Sequence, residues 1–166
     1  MNPLRDHLTW ALNWARHCLH DVIKDWPEDR ITFQATAADN HLLWTLGHMA
    51  VSDEWILAML TGKPNPLPEE FSKPFGYEST VSASVDAYPP AAEVKRQFEQ
   101  ARARLLEYLE GINDAKLRER FEGGEGFAET ALEAMQKEAW HEGWHAGQLA
   151  TLRRALGLKP AFASDE

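Results

Sequence analysis

Two histidines spaced four residues apart, His141 and His145, are the side chains of this sequence best suited to metal chemistry. Residues four apart on a helix lie one turn apart on the same face, so both imidazoles can reach one ion without bending the backbone. Zinc-like metals bind neutral imidazole nitrogens and take their remaining ligands from elsewhere. The alternative is a polar surface stripe or a pair of interior histidines held by hydrogen bonds, and the spacing alone leaves both interpretations open.

The same segment, HEGWH, also satisfies the HExxH pattern of zinc peptidases. A peptidase of that kind uses the glutamate, here Glu142, as its base and takes a third ligand that usually lies downstream. Asp165 and Glu166 are the remaining candidates after His145, and no strands are predicted that would present an extended peptide. With ~3.6 residues per helical turn, Glu142 is rotated about 100° from His141 and is expected to point away from the ion. We therefore interpret the peptidase match as coincidental.

A third histidine, His48, lies in the middle of an earlier helical segment, within the run LGHMA. It shares a stripe with Trp44 and Trp55 that is separate from the most aliphatic face of that helix. A histidine alone at such a position is usually structural. Helix bundles, however, build metal sites from side chains that face each other on adjacent helices. His48, His141 and His145 are therefore predicted to hold one divalent metal ion together.

Four segments carry the helical spacing that would position these residues, and none shows sustained strand-like alternation. Asp39 or Asn40 is expected to cap the second segment, which Gly62 ends. Thr130 and Glu133 form the pattern of a capping box at the start of the fourth. A short extra turn is expected at about 113–118. The four predicted helices span approximately residues 3–24, 40–60, 90–110 and 130–156.

Residues 61–89 form a long connection between the second and third helices, rich in Pro, Ser and Gly and without a helical period. A connection of this length can cross the end of a bundle, so these two helices need not be antiparallel neighbours. Phe71, Phe75 and Tyr77 give the segment apolar side chains to pack against the helices. We favour an ordered crossover over a gating lid, and the sequence does not exclude the lid.

Composition restricts the class of protein. The chain has 166 residues and 44% hydrophobic residues, enough for one domain over residues 1–166 with a real core. The net charge of −9 at pH 7 disfavours nucleic-acid partners. No stretch approaches the ~20 apolar residues of a membrane span, and no signal-like start is evident, so neither a membrane partner nor export is expected. Cys18 is the single cysteine, which fits a reducing cytoplasmic location.

Two motifs resemble the DinB/YfiT-like metalloenzyme superfamily. The first is HxxxHxGQL, which runs from His141 to Leu149 and is followed by Arg153 and by LG at 156–157. The second is WTLGH, which ends at His48. The resemblance covers essentially the whole chain and implies an all-α fold: a single four-helix bundle with a long crossover between helices two and three. The family name refers to DNA-damage induction and implies neither polymerase activity nor DNA binding.

The resemblance also implies a site and a chemistry. In that family one histidine of the second helix and two of the last form a facial triad on zinc, nickel or a similar ion, and these roles carry over to His48, His141 and His145. Characterised members bind a low-molecular-weight thiol for transfer to an electrophile, while others are similar to hydrolases or isomerases. Relatives also suggest a homodimer.

Side chains around the triad follow from helical geometry. Glu138 and Gln148 border the metal face, where either would orient a water or a ligand imidazole; Glu138 is also the best placed acid/base candidate. Trp44 and Trp55 are candidates for a pocket mouth, with ordinary core packing as the alternative. Cys18 is expected to be inert. Four histidines have no partner at metal spacing within their own helices and are expected at the surface or the core edge: His7, His17, His20 and His41. Trp14 and Trp144 are further candidates for the pocket mouth, again with core packing as the alternative.

Three protein nitrogens leave coordination positions open, which is typical of a catalytic rather than a structural metal. We therefore expect a metal-dependent enzyme acting on a small molecule, S-transferase-like or hydrolase-like. The first alternative is a non-catalytic metal- or ligand-binding bundle that serves as a sensor or stress protein, with a closed site or reversible occupancy. The second alternative is a structural bundle without metal, in which hydrogen bonds satisfy the histidines.

Overall fold

A computed structural model, which describes residues 1–124 and 126–162, shows a helical protein. The prediction of an all-α fold is confirmed. Within the described residues the one β-type pairing is an isolated bridge between Arg120 and Thr130. The α-helices are α1 (Pro3–Ile23), α2 (Leu42–Thr61), α3 (Glu69–Ser72), α4 (Ala91–Glu110), α5 (Asp114–Leu117) and α6 (Ala131–Ala155).

The four helices of 20 or more residues pack in two pairs. Helix α1 lies along α6, and α2 lies along α4; α2 also contacts α6, which joins the pairs. Their buried faces form two hydrophobic clusters. One cluster contains Leu46 and Phe98, and the other contains Leu12 and Leu105. No helix among the described residues is both long and apolar enough to cross a membrane.

The helix ends can be compared with the capping residues that the sequence predicts. Gly62 ends α2 in the left-handed conformation, with φ of 67°. Thr130 caps α6 by accepting a hydrogen bond from the backbone N–H of Glu133. The expected cap of α2 at Asp39 or Asn40 was wrong: the cap is His41, whose Nδ1 accepts the Trp44 N–H at 3.1 Å.

The segment between α2 and α4 is ordered against the helices. It contains α3 and two 3₁₀ turns, and Leu67, Phe71, Phe75 and Tyr88 are buried in the cluster that contains Leu46. Tyr77 is exposed, contrary to the expectation that it anchors the segment. The buried side chains hold this segment against the helices.

Candidate metal centre

The structure brings His48 of α2 together with His141 and His145 of α6. The Nε2 atom of His141 lies 3.1 Å from Nε2 of His48 and 3.0 Å from Nε2 of His145. One ligand atom from each of the three histidines lies within 4.8 Å of the others. We call these residues the histidine triad. Two nitrogens bound to one zinc ion at about 2.0–2.1 Å lie roughly 2.9–3.4 Å apart, so the observed separations fit a shared ion.

The opposite ring nitrogen of each histidine has an acceptor. Nδ1–H of His48 donates to the Phe75 carbonyl at 2.8 Å, and Nδ1–H of His145 donates to Oε1 of Gln148 at 2.9 Å. Nδ1 of His141 lies 3.4 Å from a carboxylate oxygen of Glu138. With the protons on Nδ1, each neutral ring presents a lone pair at Nε2. Three lone pairs directed into one small space are an arrangement that a cation stabilises.

Burial keeps two of the rings neutral. It lowers the pKa of His48 to about 4 and, with repulsion from His141 as the next cause, lowers the pKa of His145 to about 3. Protonating these rings at neutral pH is therefore unfavourable, and a proton is a poor substitute for a metal ion. Neutral imidazole is the form that binds zinc-like metals.

The segment between α2 and α4 contributes directly to the site. Besides supplying the Phe75 carbonyl, it places Ser79 where its Oγ accepts the Trp44 indole N–H at 3.0 Å. The Trp44 ring stacks on His48 with centroids 4.5 Å apart and is 5% exposed. Gly47 allows the Phe75 ring to pack directly against α2, because a Cβ at this position would lie 2.3–2.5 Å from that ring. The motif WTLGH therefore encodes both a ligand and its immediate packing.

Glu138 lies behind the triad, on the Nδ1 side of His141. It is completely buried; one of its oxygens accepts the Ser52 hydroxyl at 2.8 Å, and the other lies 3.6 Å from a guanidinium nitrogen of Arg102. Burial raises the pKa of this carboxyl. Its position fits the expectation that Glu138 orients a ligand imidazole, while its predicted acid/base role stays a prediction. Gln148 likewise contacts the ring of His145.

A buried ionic layer crosses the protein between the two hydrophobic clusters, and our sequence analysis missed it. Each long helix contributes one residue: Arg16 from α1, Asp53 from α2, Arg102 from α4 and Glu142 from α6. Arg102 binds both Asp53 oxygens at 3.0 Å and Glu142 at 2.6 Å, and Arg16 binds Glu142 at 2.5 Å. Through its contact with Glu138, the layer reaches the back of the triad.

The ion pairs of Glu142 decide the HExxH question. Its carboxylate is fully buried between two guanidinium groups and points away from the Nε2 atoms, as the helical rotation predicts. A peptidase base has to reach a water molecule on the metal. Glu142 is held elsewhere, so this pentapeptide does not form a peptidase site.

The other predicted pocket residues contact aromatic side chains outside the triad. Trp55 is on the same face of α2 as His48, two turns further on, and packs edge-on against Phe127. Trp14 stacks on Trp10, and Trp144 packs against Trp140 on the outer side of α6. Their predicted place at a pocket mouth stays a prediction.

Two polar residues outside the triad, His41 and Arg153, are buried. His41 is fully buried rather than at a surface or core edge, because its Nε2–H donates to the Ser82 carbonyl at 2.9 Å while Nδ1 caps α2. Arg153, part of the C-terminal motif, is also buried and pairs with Asp25, which ties the end of α6 to the segment after α1. A cavity of about 820 Å³ lies along the segment between α2 and α4, but no triad histidine lines it.

The fold and the triad agree with a comparison against known families. A sequence profile described as the DinB superfamily matches residues 11–149, from α1 to the part of α6 that follows the triad. A search among curated proteins found no match. The profile covers most of the chain and includes all three triad histidines. This protein belongs to the DinB superfamily.

Proposed function

We propose that this protein is a metal-dependent enzyme that acts on a small molecule, with S-transferase-like or hydrolase-like chemistry. The observation that carries the proposal is the convergence of three Nε2 atoms whose rings are each anchored at Nδ1. Among the described residues the triad offers three protein ligands, so a bound ion would keep positions open for substrate. A divalent ion there would lower the pKa of a thiol or water molecule that it binds, and so favour a nucleophile at neutral pH.

The protein's own residues would prepare this site before substrate arrives. The Phe75 carbonyl, Glu138 and Gln148 hold the rings in one tautomer and orientation. Trp44 covers one side of His48 with an apolar surface and limits access of water there. Zinc and nickel are our proposed metals, because imidazole ligands suit both.

In the transferase version, the substrate is a low-molecular-weight thiol. The thiol gives its proton to solvent water, its sulfur forms a bond to an electrophilic carbon, and the leaving group departs with the electron pair of the broken bond. In the hydrolase version, water takes the place of the thiol. Neither version requires an oxidant or reductant, which suits a site with zinc-like ligands.

The finer features expected from the family accompany this proposal. We propose that the four long helices form the four-helix bundle with crossover that the family resemblance implies. A cytoplasmic location is proposed because the single cysteine suits a reducing compartment. A non-catalytic sensor remains the competing function; its closed site would need a fourth protein ligand, and the described cluster contains three.

The first experiment measures metal content in protein purified without a metal-affinity tag. Wild type should contain about one equivalent of a transition metal, and His145→Ala should lose it. His20→Ala is the matched control, because His20 is half exposed and pairs with Glu99 away from the triad. Wild type without metal, even after reconstitution, would contradict the proposal.

A second experiment separates enzyme from sensor. Cobalt substitution makes thiol binding visible as a sulfur-to-metal charge-transfer band, and the metallated protein is then assayed with thiol–electrophile pairs and with esters. Turnover that depends on His145 would establish catalysis. A fully metallated protein that turns over neither substrate class would favour the sensor.

A further inference from the structure

A cavity of about 410 Å³ lies where α2 and α4 meet the segment that follows α2. Its lining includes apolar side chains of α2 and of that segment, together with a half-buried tyrosine of α4: Leu57, Ala58, Pro64, Pro66 and Tyr108. Small-molecule sites in proteins have volumes of about 300–1,000 Å³. No triad histidine lines this cavity, so it is separate from the metal centre. We call it the α2–α4 cavity.

One side chain that lines the α2–α4 cavity has a buried oxygen without a partner. Glu54 is completely buried, and the two contacts that it receives from Arg104, from Nε and Nη2, both go to its Oε1 at 2.5 Å. Within the described residues no donor reaches its Oε2. Burial raises the pKa of this carboxyl. Because an unpaired buried carboxylate oxygen costs stability, such an atom indicates a missing hydrogen-bond donor.

Arg104 has unused donors in the same cavity. A guanidinium carries five N–H groups, and the contacts with Glu54 use those of Nε and Nη2. Nη1 of Arg104 makes no hydrogen bond or ion pair in the part of the chain that the structure describes. The side chain is 35% exposed and lines the cavity. Two side chains in contact with each other therefore offer an unfilled acceptor and unfilled donors.

Two exposed residues add one charge of each sign. Lys63 and Glu107 both line the cavity, and neither side chain forms a hydrogen bond or ion pair among the described residues. With Glu54 and Arg104 they make two carboxylates and two cations, so the lining carries no net charge, whereas the whole chain carries −9. A purely anionic ligand would meet two carboxylates here, and a purely cationic one would meet two cations. A ligand with one charge of each sign finds an opposite charge for both.

We propose that the α2–α4 cavity binds a zwitterionic α-amino acid. Such a molecule carries its ammonium and carboxylate on one carbon, which matches an acceptor and donors on two side chains in contact. The ammonium donates to Oε2 of Glu54 and the carboxylate accepts from Nη1 of Arg104; charge-assisted hydrogen bonds of this kind are roughly twice as strong as neutral ones. A shift of the partly exposed Arg104 side chain gives the ammonium access to Oε2. The side chain of the amino acid packs against Leu57 and Tyr108.

The test is a titration of wild type with L-phenylalanine, whose ring can pack against Tyr108 and the two prolines. Concentrations up to 20 mM are followed in ¹H–¹⁵N correlation spectra. Saturable shifts are expected at amides within residues 54–66 and 104–108, with a millimolar Kd, as is usual for a ligand of this size. Spectra without saturable shifts in these two segments, or with shifts confined to the triad, would overturn the proposal.

Two analogues test whether both charges are recognised. N-acetyl-L-phenylalanine lacks the ammonium, and 2-phenylethylamine lacks the carboxylate. Each should bind roughly tenfold more weakly than L-phenylalanine or worse, because each leaves one charged group of the cavity without its partner. Equal affinity for L-phenylalanine and either analogue would show that the cavity does not recognise a zwitterion.

Variants locate the binding. Glu54→Gln keeps the shape of the side chain but can place an amide N–H₂ where Oε2 lies, and should weaken L-phenylalanine binding roughly tenfold or more. Glu110→Gln is the matched control, because Glu110 is an exposed carboxylate of α4 outside the cavity, and it should leave Kd unchanged. Ala58→Phe fills the cavity without altering the ion pair and should abolish binding, so it decides the question if Glu54→Gln does not fold. An unchanged Kd in either folded variant, as judged by far-UV circular dichroism, would refute the site.

Metal analysis of the same samples separates this proposal from the proposed function. Glu54→Gln should retain the metal content of wild type, and His145→Ala should retain its affinity for L-phenylalanine. Amino-acid binding by a protein that holds no metal would refute the metal site alone. A metallated protein that does not bind the amino acid would refute the α2–α4 site alone.

Discussion

Replacement of Arg102 by methionine should remove much of the stability of this protein. Arg102 is 3% exposed, and its guanidinium donates to both Asp53 oxygens, to Glu142 and to the Leu12 carbonyl at 3.1 Å. Burial opposes its charge, but attraction to Asp53 and Glu142 raises the pKa of Arg102 further above its ordinary value. Removal leaves two buried carboxylates with Arg16 as their remaining cation within the layer.

The expected magnitude follows from that uncompensated charge. Breaking a buried ion pair by removing one partner costs about 3–5 kcal/mol. For a chain of this length, each kcal/mol lowers Tm by about 2–4 °C, so Arg102→Met should melt roughly 6–20 °C below wild type. Urea unfolding of the metal-free protein, followed by circular dichroism, measures the change in unfolding free energy directly.

A control and a double mutant test the explanation. Arg96 lies on the same helix, pairs with Glu93 at 2.6 Å and is half exposed, so Arg96→Met should cost less than about 1 kcal/mol. Combining Arg102→Met with Asp53→Asn should cost less than the sum of the single changes by about 1–3 kcal/mol, because the second change removes the stranded charge. If Arg102→Met costs no more than Arg96→Met, the layer does not stabilise the fold as we describe.

Three further predictions concern the triad and the segment that supports it. Gly47→Ala should displace Phe75 and lower metal content, whereas Gly143→Ala, where a Cβ meets nothing within 4 Å, should not; elemental analysis distinguishes them. Glu138→Gln should weaken metal binding by roughly 10–100-fold in competition with a chromophoric chelator, and an unchanged Kd would refute its orienting role. Acid should destabilise the metal-free protein. Burial lowers the pKa of His41 and lowers those of two triad histidines to about 4 and about 3. Their stabilising effect is therefore complete above the unfolded pKa of ~6.5 and decreases by up to about 1.4 kcal/mol per pH unit per residue as pH falls below it. The raised pKa of Glu138 acts in the opposite direction and makes the net slope smaller. Urea titrations at pH 7, 6 and 5 measure this slope, and a flat profile would show that the buried histidines do not control it.

The helices were predictable because their signals are local. The apolar stripe of α1, the glycine after α2 and the threonine before α6 each act within a few residues of their own position. The α2 cap was not predictable in this way. Histidine is not among the usual capping residues, and His41 takes this role because Ser82, 41 residues later, accepts the proton of its other ring nitrogen. These two residues come together only when the segment between α2 and α4 has folded against the helices.

The ligands of the metal site could be predicted from the sequence, but only some of the groups that orient them could. The four-residue spacing indicated two ligands, and the third came from pairing a helix-two histidine with them, aided by a family motif. Whether a hydrogen-bond acceptor of these rings could be predicted depends on how far along the chain it lies from its histidine. Glu138 and Gln148 lie three residues from the histidines they contact and could be named, whereas the Phe75 carbonyl lies 27 residues from His48 and could not. Every residue has a backbone carbonyl, so no sequence pattern shows which carbonyl will accept a hydrogen bond from a distant side chain.

The buried ionic layer left a signal that the sequence analysis passed over. Arg16 follows Leu12 by four residues and precedes Leu19 by three, so it occupies a position on the buried stripe of α1. A charged residue on an apolar stripe predicts a buried partner of opposite charge, because the free-energy cost of burying an unpaired ion is prohibitive. The sequence contains many carboxylates and cannot say which of them faces Arg16. In the folded protein the two negative charges of Asp53 and Glu142 neutralise the two positive charges of Arg16 and Arg102. Glu138 is a third buried carboxyl, for which the layer has no further cation. Its position beside His141 is where a metal cation would offset an additional negative charge.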